Sequence, residues 1–215
     1  MSTDDLPPHF AQRLDESDDA LFYATPRLVT HIDDATIRAL TEVYRARIPA
    51  GSDVLDLMSS WISHLPNDVD YGRVAGHGMN ATELENNPRL TDHRVHDLNA
   101  DPNLPFADDS FDFVVSAVSV QYLTRPVAVL RSVARKLRPA GEHLVAISHR
   151  MFPTKAVQVW QGLAPTDRPR LVETYFERSG AFSEIRTEDH SPAGADPLWV
   201  VSGRRIAETP SSDSE

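Results

Sequence analysis

The chain has 215 residues, with 32 Asp and Glu against 21 Lys and Arg, a net charge of −11, no cysteine, 40% hydrophobic and 25% charged residues. That composition describes one globular domain with a single sizeable core. It excludes disulfides, thiolate metal sites and a cysteine nucleophile, and it lacks the clustered positive field that phosphate backbones and anionic lipids require.

No apolar run approaches the ~20 residues of a membrane span, and the acidic N-terminus lacks the basic start and apolar stretch of a signal peptide. The expectation is a cytoplasmic protein with neither nucleic-acid nor membrane partners. Residues 1–20 and 207–215 are rich in Asp, Glu, Ser, Thr and Pro and read as mobile ends around one domain over 21–206. The two ends carry most of the negative charge, so the body is nearly neutral. Only two basic residues are lysine, Lys136 and Lys155.

In chain order, Asp33 or Asp34 caps a helix whose apolar positions Ile37, Leu40, Val43, Tyr44 and Ile48 keep helical spacing, and Pro49 with Gly51 ends it. A buried-strand run, Val54 to Met58, precedes a brief helical stretch through Trp61 and Leu65 that Pro66 stops. A second strand starts at Arg73. Asn80, with Glu83 three residues on, opens a helix in capping-box fashion. A third strand is expected over Arg94 to Leu98, and a fourth, the clearest, over Phe111 to Val118. The amphipathic segment Val127 to Leu137 is a helix closed by Pro139 and Gly141, and His143 to Ser148 forms a fifth strand. Helices around Lys155 to Leu163 and Arg170 to Ser179 precede two closing strands, Phe182 to Thr187 and Leu198 to Ser202. This alternation predicts an α/β fold: a doubly wound, mainly parallel seven-stranded sheet with helices on both faces and an antiparallel last strand. Ligands in such sheets sit outside the carboxyl ends of the strands.

The stretch Leu104-Pro105-Phe106-Ala107-Asp108-Asp109-Ser110-Phe111-Asp112-Phe113-Val114-Val115-Ser116, with the helix that ends Leu137-Arg138-Pro139-Ala140-Gly141, resembles class I S-adenosylmethionine-dependent methyltransferases of the type 11 kind. With Val54-Leu55-Asp56-Leu57 in the place of the first strand, the resemblance spans roughly residues 35 to 205. It implies a Rossmann-like fold, S-adenosylmethionine as cofactor and cofactor-facing positions Asp56, Met58, Ser59, Ser60, Gly78, Met79, Asn80, Asp97, Leu98, Ala117 and Ser119. Two of the family's motifs are altered. The glycine-rich turn after the first strand reads Met58-Ser59-Ser60-Trp61-Ile62-Ser63-His64, which ordinary residues can hold only with ordinary backbone angles. Gly78 stands where the family places its ribose-binding acid.

Asp97 matches the acid that accepts from the adenine amine, and Asp56 either lies near the cofactor's amino group or caps its turn. Asn80 reads as a ribose ligand, a helix cap or both. Trp61 either packs on the helix layer or stacks on a ligand, and with packing His64 falls at the surface. Substrate-facing candidates are Tyr23 and His31, as part of a lid, Gln121 and Tyr122 after the fourth strand, and His149 and Arg150, which with Lys155 would form a cationic rim. His93 and His96, three apart on an expected strand with no third ligand beside them, do not make a metal site. No fixed catalytic residue is expected, because methyl transfer depends mainly on alignment. The reading is a methyltransferase acting on a small molecule; the alternative is a methyltransferase-like binding or regulatory protein without catalysis.

Overall fold

The computed structural model describes residues 7–207. After a single 3-10 turn at Pro8–Phe10, the elements in chain order are α1 (Asp19–Phe22), α2 (Asp34–Arg47), β1 (Asp53–Leu57), β2 (Arg73–Gly78), α3 (Ala81–Glu85), β3 (Asp92–Val95) and β4 (Phe111–Ala117). Then come α4 (Pro126–Lys136), β5 (Leu137–Ile147), α5 (Gln158–Gly162), α6 (Arg168–Ser179), β6 (Phe182–Asp189) and β7 (Trp199–Arg205). One seven-stranded sheet has the order β3-β2-β1-β4-β5-β7-β6. The strands β3 to β5 pair in parallel, and β7 enters antiparallel between β5 and β6. This is the expected doubly wound sheet. The order reverses at β1, between β2 and β4, which makes a crevice at the carboxyl ends of these strands.

Side chains alternate across the sheet with the period of two that strands impose. Leu55, Val114, Val145 and Val201 join the core beneath α4, α5 and α6, where Trp160, Tyr175 and Phe176 are fully buried. Val54, Val115, Leu144, Ala146 and Val200 join the opposite core beneath Leu40, Val43 and Tyr44 of α2. The cap of α2 is Asp33, whose Oδ1 accepts from the Thr36 amide at 2.9 Å, and the helix ends at Ile48 before Pro49.

Four expectations fail. Strand β5 starts at Leu137 rather than His143, so Pro139 and Gly141 lie within this strand instead of between helix and strand. No helix follows β1: residues 58–72 form a loop with left-handed Met58 (φ 56°) and His64 (φ 58°). Serines that bond locally and Pro66 leave too few residues to complete helical turns. The third strand occupies Asp92–Val95 rather than 94–98, because the Arg73 guanidinium bonds Asp92 across β2 and β3 and fixes the register there. The expected helix from Lys155 shortens to Gln158–Gly162.

The expected mobile N-terminal end is also revised over its described part, residues 7–20. The Asp15 amide donates to the Thr154 carbonyl and the Gln158 amide to the Gln12 carbonyl, at 2.9 and 2.7 Å. Lys155, fully buried, pairs with Asp19 at 3.0 Å and Asp15 at 3.2 Å, and Arg13 grips both oxygens of Asp19. A segment poor in apolar side chains is thus anchored by charge and backbone hydrogen bonds. The expected C-terminal tail lies, from residue 208 on, outside the described residues.

Candidate ligand-binding site

A cavity of about 220 Å³ opens at the carboxyl ends of β1, β2 and β4, beside the loop after β3. Its wall includes all eleven cofactor-facing positions named from the sequence: Asp56, Met58, Ser59, Ser60, Gly78, Met79, Asn80, Asp97, Leu98, Ala117 and Ser119. Of the substrate-facing candidates, Tyr23, His31, Tyr122 and Arg150 line it; Gln121 and His149 do not.

The loop after β1 is held by its own serines. Ser59 Oγ donates to Asp56 Oδ2 at 2.5 Å, and the Ser59 amide donates to the His77 carbonyl at 2.7 Å. Asn87 Nδ2 donates to the Ser60 carbonyl and to Ser63 Oγ, both at 2.9 Å. Met58 takes the left-handed conformation that a glycine would adopt freely, so the turn keeps a glycine-type backbone at a steric cost of roughly 1–2 kcal/mol. The expectation of ordinary angles in this loop is therefore overturned. Trp61 does not line the cavity; its indole donates to the Val29 carbonyl at 3.0 Å.

Gly78 explains the missing acid. A Cβ there would lie 2.5 Å from the Ser59 carbonyl oxygen and 3.2 Å from Leu84, so no side chain fits while the loop lies across β2. Asn80 is the N-cap of α3: its Oδ1 accepts from the Glu83 amide at 3.1 Å, and its Nδ2 donates to the Tyr23 carbonyl at 2.8 Å and to the Ala24 carbonyl. Both ends of the amide are thus used within the chain. Asp97 shapes the loop after β3, with Oδ1 accepting from the Asn99 amide at 2.8 Å.

The N-terminal segment forms the opposite wall through Asp19, Tyr23, Arg27, Val29, His31 and Ile32. The Asn99 side chain donates to Asp19 at 2.9 Å, and the Arg27 amide donates to Glu83 at 2.7 Å. The Arg27 guanidinium lies 4.4 Å from the Phe22 ring centre and 5.5 Å from that of Phe152. Burial works against the Asp19 carboxylate, yet hydrogen bonds from Asn99, Arg13 and Lys155 outweigh it and hold its pKa below the ordinary value.

The cationic rim expected from His149, Arg150 and Lys155 does not form. Lys155 is spent on the N-terminal anchor, and His149 and Arg150 both face Asp196, at 3.1 and 2.9 Å. Gln121 is buried, its amide donating to the Val118 and Arg150 carbonyls. Tyr122 accepts from the Phe152 amide through its hydroxyl, at 2.8 Å.

Burial pushes the Asp56 carboxyl up to about 7, against the pull of hydrogen bonds from Ser59 and Ser63. Burial, assisted by neighbouring His31, pushes His64 down to about 4, and burial followed by Arg27 lowers His31. His64 lines the cavity and is not the surface residue expected. Two polar atoms at the site, Ser119 Oγ and His64 Nδ1, are buried and find no partner among the described residues.

The sequence reading did not single out Arg27, Phe152 or His96 as lining residues. No local motif marks them. His96 is delivered by β3, where its ring meets His77 with Nδ1 3.2 Å from His77 Nε2. Among the described residues no group of three or more His, Cys, Asp or Glu is arranged to hold a metal, and no helix is long and apolar enough to cross a membrane.

Residues 68–145 match the family model described as "Methyltransferase domain". The chain is 27% identical over 138 residues to "Methyltransferase GfsG" of Streptomyces halstedii, covering 58% of this chain and 48% of that protein; it spans about half the length of this curated relative. The fold is similar to an S-adenosylmethionine-dependent methyltransferase from Mesorhizobium loti, with TM-score 0.55 and 18% identity over 78% of this chain and 98% of the other. It is also similar to the [4+2]-cyclase SpnF, with TM-score 0.61 and 16% identity over 86% of this chain and 90% of the other.

Proposed function

We propose that this chain is a class I S-adenosylmethionine-dependent methyltransferase that moves a methyl group to a small-molecule acceptor by in-line displacement. The observation that carries the reading is the gathering of Asp56, Ser59, Gly78, Asp97, Leu98 and Ser119 around one cavity at the sheet's switch point. The fit to an adenosyl cofactor is supported by the left-handed Met58 turn, which reproduces a glycine-type backbone, and by the unpartnered Ser119 hydroxyl.

In this reading Asp97 and Leu98 hold the adenine end and the Asp56 edge faces the methionyl end. The cofactor, when bound, supplies an electrophilic methyl group on a sulfonium. The protein's part is to orient the acceptor on that axis and keep water away, and orientation alone can remove much of the barrier. Tyr23, His31, Tyr122 and Phe152 supply an aromatic wall for an acceptor with an apolar face. His64, held neutral by burial and with an unpartnered Nδ1, offers a hydrogen-bonding group to a bound acceptor. A concave cavity lined by apolar and aromatic side chains with a few polar groups suits a small-molecule acceptor.

The test is calorimetric titration with S-adenosylmethionine and S-adenosylhomocysteine, followed by a screen of small acceptors with labelled methyl donor. Saturable binding and label transfer that Asp97→Ala abolishes support the proposal; no binding at millimolar ligand ends it. A second reading, binding without transfer, is favoured by one feature: the Met58 side chain packs in a turn that glycine leaves open. Label transfer to any acceptor excludes that reading.

A further inference from the structure

In nucleotide-binding α/β sheets, an acid near the end of β2 accepts from the ribose hydroxyls. Here that position is Gly78, and the Ser59 carbonyl closes the space in which a side chain would stand. Another polar group is delivered to the same corner. The His96 amide donates to the Gly78 carbonyl at 3.0 Å, so His96 leaves β3 directly beside the end of β2, and it lines the cavity.

The orientation of the His96 ring is set by a chain of hydrogen bonds. The Met58 amide donates to His77 Nδ1 at 3.4 Å, which leaves the His77 proton on Nε2. His77 Nε2 then donates to His96 Nδ1 at 3.2 Å, which in turn leaves the neutral His96 proton on its own Nε2. His77 is 1% exposed and burial pushes its pKa down to about 3, with His96 adding to the effect, so it stays neutral. His96 Nε2 makes no hydrogen bond among the described residues. An imidazole N–H suits a hydroxyl oxygen, which accepts, and does not suit the adenine amine, which donates.

Resting on the methyltransferase reading above, we propose that His96, held in one tautomer by His77, is the ribose-recognition residue of this chain and substitutes for the acid that Gly78 cannot carry. His96 is then a binding residue and His77 a positioning residue.

Two measurements test this. Calorimetry compares S-adenosylhomocysteine with its 2′-deoxy and 3′-deoxy forms on the full chain. The wild type is expected to bind at least one deoxy form about tenfold more weakly, the loss of about one good hydrogen bond. His96→Ala should weaken S-adenosylhomocysteine by a similar factor and erase the discrimination, whereas His96→Gln, which retains an N–H donor, should keep part of it. A His96→Ala protein that melts like the wild type, binds S-adenosylhomocysteine equally well and still rejects the deoxy form overturns the proposal while the methyltransferase reading stands. A wild type that binds no S-adenosylhomocysteine overturns that reading, and the proposal with it. Independently of ligand, two-bond 15N–1H correlations at pH 8 should show the Nε2–H tautomer for both His77 and His96. A Nδ1–H tautomer at His96 overturns the proposal, and loss of the Nε2–H preference at His96 in His77→Phe supports the positioning role.

Discussion

The main-chain oxygen of Ser59 lies across Gly78 so closely that a Cβ on residue 78 would stand 2.5 Å from it. The loop after β1 and the end of β2 therefore form one packed unit, so the glycine-free turn and the absence of a side chain at position 78 are structurally linked. Restoring the acid with Gly78→Asp should not restore a ribose ligand. The expected outcome is a loss of about 2–3 kcal/mol of stability by overpacking, together with weaker S-adenosylhomocysteine binding, checked by denaturant unfolding and calorimetry.

Acid sensitivity follows from the buried histidines. His64, His77 and His143 are held near pKa 4, 3 and 3 by burial, so the folded state keeps them neutral where the unfolded chain binds protons below about 6.5. Their contribution is present above that value and is lost as pH falls. Asp56 works the other way: raised to about 7, it is protonated in the folded state between about 4 and 7, where the unfolded chain is ionised, so its contribution falls as pH rises. Three groups against one leave the unfolded chain about two protons richer between pH 4.5 and 6, and stability should rise there by about 2–3 kcal/mol per pH unit. Chemical denaturation across that range measures the slope, and Asp56→Asn should steepen it.

The N-terminal anchor depends on Lys155. Its ammonium is fully buried against Asp15 and Asp19, and removing one member of a buried ion pair costs about 3–5 kcal/mol because the partner charge is left behind. Lys155→Ala should open the segment around residues 12–31 to limited proteolysis at far lower protease concentration than the wild type requires. Equal protection in the variant would show that the anchor lies elsewhere.

Ala140 is exposed and left-handed, with φ 65°. Glycine holds that conformation without the steric cost, roughly 1–2 kcal/mol, offset by about 0.4–1 kcal/mol of added freedom in the unfolded chain. Ala140→Gly should raise the melting temperature by a few degrees and leave ligand binding unchanged, which a thermal scan with and without S-adenosylhomocysteine checks.

The sheet was legible in the sequence because its information is local. Phe111 to Ala117 and Val54 to Leu57 are apolar runs bounded by turn residues, and α4 keeps an apolar face that only a helix can use. The cavity-lining positions at the strand ends were legible through the resemblance, which ties them to those ends. The rest depended on distance. The N-terminal wall has few apolar residues, so no periodicity marks it; its anchor is a lysine more than a hundred residues away. The His77 and His96 pair is separated by 19 residues and meets only because β2 and β3 run parallel in a fixed register. The loop after β1 was read as a helix because Trp61 and Leu65 have helical spacing, whereas serine hydrogen bonds and Pro66 decide its course.

Both lysines of this chain are occupied: Lys155 in the anchor, and Lys136 against Asp108 at 2.6 Å with little surface of its own. The outward-facing cations of the described residues are therefore guanidinium groups. Amine-directed labels, crosslinkers and resins find no free lysine ε-amine on the folded protein, so labelling of Lys155 by such a reagent becomes a direct gauge of how often the wall over the cavity stands open.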